Sequence, residues 1–214
     1  MSSTLDVQYL GRIGYQDALD LQVSLNRRRQ NGEIGDTLLL LEHDPVITRG
    51  KRGKESDILL SKEALEAQGF AVYEANRGGE VTYHGPGQIV GYAIIDIRDH
   101  GKDLHLFVRN IEEVFISLLR DEYGITARRD PEHTGVWVEH EKITAIGIAV
   151  RKWVSMHGFA FNVNTNLEHF RTIVPCGIRD KGVTSLAKLT GRKHDLRRVQ
   201  EEIAACFRKI FGFS

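Results

Sequence analysis

The sequence predicts an α+β fold: one domain, residues 1–214, built on a mostly antiparallel β-sheet that carries helices on one side. Three observations predict it. Strand-like runs follow one another as hairpins. Helical runs fall between and after them, without the regular strand–helix alternation a doubly wound fold requires. The four prolines are scattered, and no repeat, low-complexity tract or linker divides the chain, whose length suits one well-buried core.

The elements follow in order. Tyr15 to Gln30 has helical periodicity and stops at Gly32. "DTLLLLEH" is a buried strand, and "HDPVITRG" after it reads as a loop. Ser61 to Gln68 forms a short helix, with Ser61 as cap and Gly69 just past the end. "FAVYEAN" is a strand entering the glycine-rich loop "RGGEVTYHGPGQ", and "QIVGYAIIDI" returns as another. In "LHLFVRNIEEVFISLLRDEYG", Leu104, Phe107, Val108, Ile111, Phe115, Leu118 and Leu119 share one helical face, and Gly124 supplies the stop. "TGVWVEHEKITAIGIAV" reads as a hairpin turning near Glu141, and "WVSMHGFAFNVN" adds a strand. A last helix opens at Asp195 and sets Val199, Ile203, Cys206, Phe207 and Ile210 on one stripe, which explains Cys206 as packing.

Composition narrows the function. Twenty-nine basic and 29 acidic residues balance, so no overall field draws the chain to nucleic acid or to an anionic membrane. No run approaches the roughly 20 apolar residues of a membrane helix. The first residues lack a basic segment followed by an apolar one, and two cysteines make no disulfide framework, so a reducing cytoplasm is the expected compartment. "RGKRGK", residues 49–54, concentrates four cations and reads either as a solvated loop or as a docking patch for an acidic partner.

Cys176 stands between Pro175 and Gly177, in a segment with no periodicity that would make it packing. A catalytic cysteine acts as thiolate and needs a base or cation beside it. His84 in "YHGPG", His157 in "MHGFA" and Lys142 at the head of "KITAIGIAV" are the candidates. A lysine partly desolvated at such a position takes a proton from sulfur and then holds the thiolate as an ammonium; the plainer reading is an exposed hairpin lysine. Gly78, Gly79, Gly85 and Gly87 let a ligand approach the backbone closely, or simply turn the chain. The spacing matches neither a Walker loop nor a dinucleotide fingerprint.

Four blocks in order, "HDPVITRG", "RGGEVTYHGPGQ", "KITAIGIAV…HGFAFNVN" and "IVPCGI", resemble the lipoyl(octanoyl) transferase family over about residues 40 to 186. The resemblance implies the fold of the lipoate and biotin protein ligases. It implies transfer of an octanoyl group from acyl carrier protein to a lysine of lipoyl domains, such as those of 2-oxoacid dehydrogenases and the glycine cleavage H protein, as the first step of endogenous protein lipoylation. Cys176 takes the place of the family's nucleophile and Lys142 that of its partner. Substrate contacts fall on Arg77, Gly78, Gly79, Glu80, Val81, Thr82, Tyr83 and His84, on Ala145, Ile146 and Gly147, and on Gly158, Phe159 and Ala160. No metal, nucleotide or redox cofactor is implied. Competing readings are an ATP-dependent lipoate or biotin ligase, an enzyme shuttling octanoyl between lipoyl domains, a Cys–His hydrolase, and a carrier-binding module with an inert cysteine.

Overall fold

Leu38, Leu39, Leu40 and Leu41 are all fully buried. A strand apolar on both faces must sit inside a sheet covered on both faces, and this one does. The structure is a computed structural model that describes residues 4–174 and 182–214. In it β2 (Asp36–Glu42) pairs in parallel with β1 (Leu5–Arg12) and antiparallel with β6 (Gln88–Ile94). Beyond β6 come β10 (Val154–Asn162), β9 (Glu141–Arg151), β8 (Val136–Val138) and β7 (Arg128–Arg129), all antiparallel, while the short β11 (Gly182–Val183) joins β9 in parallel.

Helices cover both faces of this sheet, where the sequence suggested one. Helices α3 (Leu104–Tyr123) and α5 (Leu196–Phe211) bury Phe107, Ile111, Phe115, Ile203 and Phe207 against one face. Helix α1 (Tyr15–Gln30) sets Ala18 and Leu25 on the other, against Leu39, Leu41, Val90 and Ile94. The run of four leucines already required this second cover. Asn26 of α1 reinforces it, its amide donating to the carbonyls of Val154 and Ser155 at 3.1 Å each.

Helix boundaries follow the sequence signals. Asp103 caps α3 through His105 and Leu106, and Gly124 ends it in the left-handed conformation. Asp195 caps α5. Leu104, expected on the buried face, is 42% exposed because it is the first residue of its helix. Cys206 is half-buried, its thiol donating to the Val114 carbonyl at 3.3 Å, so it packs α5 on α3.

A second, smaller sheet corrects two loop readings. Val46–Arg49 of "HDPVITRG" is β3, flanked in parallel by β4 (Ala71–Glu74) and antiparallel by β5 (Val81–His84), which lies inside the glycine-rich segment. Four-residue strands show too little alternation to declare themselves, and their partners lie 25 to 38 residues apart in register. Helix α2 (Lys62–Ala67), capped by Ser61 through Ala64 N, lays Leu65 over this sheet. Helix α4 (Leu186–Thr190) follows β11. Among the described residues no helix is long and apolar enough to cross a membrane.

Candidate active site

Register alone builds a trough. Ala160 of β10 lies opposite Ala145 of β9 and Val90 of β6; two residues along, Gly158 lies opposite Gly147 and Tyr92. These positions share one face of the sheet, and four of the six have a methyl side chain or none. The loop joining β4 to β5 of the small sheet roofs the trough. Gly78 N donates to the Ile148 carbonyl at 3.0 Å, and a Cβ on Gly147 would stand 2.9 Å from the Gly78 oxygen, so glycine there is what permits the roof to sit so close. The cavity encloses about 920 Å³.

Lys142, from the start of β9, lines this cavity and is buried. Its Nζ donates to the Thr134 carbonyl at 3.1 Å and lies 4.8 Å from the Trp137 ring centroid. It is therefore no exposed hairpin lysine. The chain that resumes at Gly182 pairs directly with this position: Val183 is the register partner of Lys142, and Thr184 N donates to the Lys142 carbonyl at 3.0 Å. Cys176 lies outside the described residues.

Arg77, Gly78, Gly79, Glu80, Val81, Thr82 and His84 border the cavity from the small sheet, and Ala145, Ile146, Gly147, Gly158, Phe159 and Ala160 from the large one. Arg77 is buried, and its Nη2 donates to both the carbonyl and the hydroxyl of Thr48 at 2.8 Å. Glu80 reaches the rim, 3.3 Å from Arg52 of the "RGKRGK" turn. Tyr83 departs from the group. Alternation along β5 turns it, with the side chain of Val81, to the face opposite Thr82 and His84, where it packs on Phe70 and Phe170 and its hydroxyl meets His169 Nδ1 at 2.7 Å.

Of the histidines that line the cavity, His84 and His157 are neutral. Burial pushes His84 down to about 3, helped by the neighbouring His43 and by the Arg77 charge. Its Nδ1 donates to Gln88 Oε1 at 2.8 Å, because the Gln88 amide nitrogen is committed to Tyr83 O and Asn162 Oδ1. Burial and the Arg77 charge bring His157 down to about 4. His157 also has a positive φ of 59°, held by a 2.9 Å bond from its N–H to Gln22 Oε1. Histidine is, with Asn and Asp, among the side chains that adopt this region, and its ring lies 6.3 Å from that of Tyr92.

Other lining residues were silent in the sequence. Tyr15, the first residue of α1, and Tyr92 both line the cavity, but each sits in a segment that reads simply as helix or strand. Thr48 and His43 support the lining from behind, and neither belongs to a recognisable pattern. Among the described residues no cluster of three or more His, Cys, Asp or Glu could hold a metal ion.

The model of the lipoyl protein ligase A/B catalytic domain matches residues 14–208. An octanoyltransferase of Caldicellulosiruptor saccharolyticus is 60% identical over 209 residues, covering 97% of this chain and 89% of the relative. One from Desulforamulus reducens is 52% identical over 209 residues, covering 98% and 92%. Among solved structures, a bipartite lipoate protein ligase of Thermoplasma acidophilum superposes with a TM-score of 0.73 at 16% identity, covering 100% of this chain and 85% of that one. The biotin protein ligase of Aquifex aeolicus gives 0.56 at 14% identity, covering 98% and 73%. Both likenesses are of fold. The sequence matches reach further, and they extend over the strands, the roofing loop and the lysine that build the trough: the chain belongs to the lipoyl protein ligase A/B catalytic-domain family, among the octanoyltransferases.

Proposed function

We propose that this acyltransferase moves an octanoyl group from the phosphopantetheine thiol of acyl carrier protein to a lysine of a lipoyl domain, through a thioester on Cys176. The observation that carries the reading is Lys142: a buried amine on the wall of a small-residue cavity, on a strand to which the chain just beyond Cys176 is hydrogen-bonded. Lys142 Nζ takes the Cys176 proton. The thiolate attacks the donor's thioester carbon, the tetrahedral oxyanion collapses, and the carrier's thiolate leaves with the proton returned by the Lys142 ammonium. In the second half the target lysine's neutral amine attacks the enzyme thioester. Its excess proton passes through Lys142 to the departing Cys176 sulfur, and an amide remains.

The first half exchanges one thioester for another, and the second gains the stability of the amide. Burying the octanoyl tail over Ala145, Gly147, Gly158 and Ala160 contributes roughly 5 kcal/mol, at about 0.8 kcal/mol per methylene. The scheme uses no metal, nucleotide or redox cofactor, and it places the enzyme in the cytoplasm with its two protein partners.

Intact mass spectrometry after mixing with octanoyl-acyl carrier protein tests this reading. Wild type gains one octanoyl mass, Cys176→Ala gains none, and neither result depends on ATP. An unmodified wild-type mass overturns the scheme, and strict dependence on ATP selects the ligase reading.

A further inference from the structure

We propose that Tyr92 limits the length of acyl tail the trough accepts, and that His43 holds Tyr92 in place for that task. This rests on the acyl-transfer reading above. A tail running along β9 from Lys142 crosses the row Ala145, Ala160, Val90 first and the row Gly147, Gly158, Tyr92 second. In the second row two glycines offer no side chain, so past Val90 the ring of Tyr92 is the large side chain of these two rows. It lines the cavity and is 4% exposed.

Tyr92 is anchored from outside the cavity. His43 is fully buried, away from the lining, with Nδ1 2.8 Å from the Ile13 carbonyl and Nε2 2.7 Å from the Tyr92 hydroxyl. A carbonyl only accepts, so Nδ1 carries the hydrogen and Nε2 accepts the phenol's. The hydroxyl is thereby drawn behind the wall, and the apolar body of the ring faces the trough. Tyr15 buttresses the clamp, its ring 5.5 Å from that of His43. His43 touches no reacting atom; it is a positioning residue.

The experiment compares uptake of hexanoyl, octanoyl, decanoyl and dodecanoyl groups from acyl carrier protein, read as enzyme thioester by intact mass. Tyr92→Leu keeps an apolar wall but shortens it, and the dodecanoyl-to-octanoyl ratio rises about tenfold or more. Tyr92→Phe keeps the ring but loses the hydroxyl that His43 holds, so the ratio rises as it does in His43→Leu. His43→Leu raises the ratio, whereas His43→Gln, which still accepts the phenol hydrogen, restores it; a merely structural histidine would lower all chain lengths alike. An unchanged ratio in Tyr92→Leu overturns the wall, and an unchanged ratio in His43→Leu overturns the clamp. If Tyr92→Leu does not fold, Tyr92→Met replaces it with the same expectation. Should wild type take up no acyl group, the acyl-transfer reading has failed separately. Calorimetric binding of octanoic against dodecanoic acid to the same variants then decides the wall alone, and equal selectivity in wild type and Tyr92→Leu overturns it.

Discussion

Arg77 gives both hydrogens it aims at β3 to a single residue, Thr48, with the carbonyl and the hydroxyl each 2.8 Å from Nη2. Because that hydroxyl accepts from a guanidinium, its own hydrogen is left to point at His84 Nε2, 3.5 Å away. Thr48 thus orients two cavity residues at once. In Thr48→Val one bond to a charged donor is lost, a cost of about 1.5–3 kcal/mol in that contact. Octanoyl transfer should fall about tenfold or more, with recovery in Thr48→Ser; steady-state rates of the two variants check this.

Lys142→Met removes the proposed proton carrier while keeping a long apolar stem over Trp137. Thioester formation should slow about 100- to 10,000-fold, the range of general acid–base contributions, while the melting temperature changes little. Quenched mixing with octanoyl-acyl carrier protein measures the rate.

A methyl on Gly147 would press on the Gly78 oxygen and on Arg77 Cδ, 3.2 Å off. Gly147→Ala should therefore lift the roofing loop and cut acyl uptake at least about tenfold, with overpacking costing about 1–3 kcal/mol. Acylation rate and a urea midpoint, measured together, separate the two effects.

His157 has an ordinary value of 6.5 and a folded value of about 4. Between those values the unfolded chain binds the extra proton, so stability rises with pH there. The contribution is intact above about pH 6.5 and is lost as pH falls toward about 4. Between pH 6.5 and 5 this amounts to about 2 kcal/mol. Asparagine tolerates the left-handed backbone at this site, so His157→Asn should fold and show a shallower decline. Urea titrations of both proteins at pH 7.5 and 5 give the comparison.

Long periodic runs were legible. Helix α1 spans Tyr15–Gln30, and the caps Ser61, Asp103 and Asp195 act on helix amides. What local pattern missed is set by distant partners. Strands β3 and β5 exist because each pairs with a segment far along the chain, and β1, with only Leu5 fully inside, is paired by its neighbour β2. The trough was half legible: motif blocks located its glycines and alanines, but Val90 and Tyr92 enter only through the β6–β10 register. A motif does not record which face of a strand a residue takes, so Tyr83 reads as part of the block around it although its side chain leaves the cavity.

Lys142 is held at its amine by a carbonyl eight residues before it and an indole five before it, and at its backbone carbonyl by an amide 42 residues after it. Its placement is thus a property of the whole stretch from Thr134 to Thr184. A designer wishing to graft this chemistry onto another ligase scaffold would have to move that stretch in one piece, because a transplanted lysine alone would arrive without the three supports that aim it.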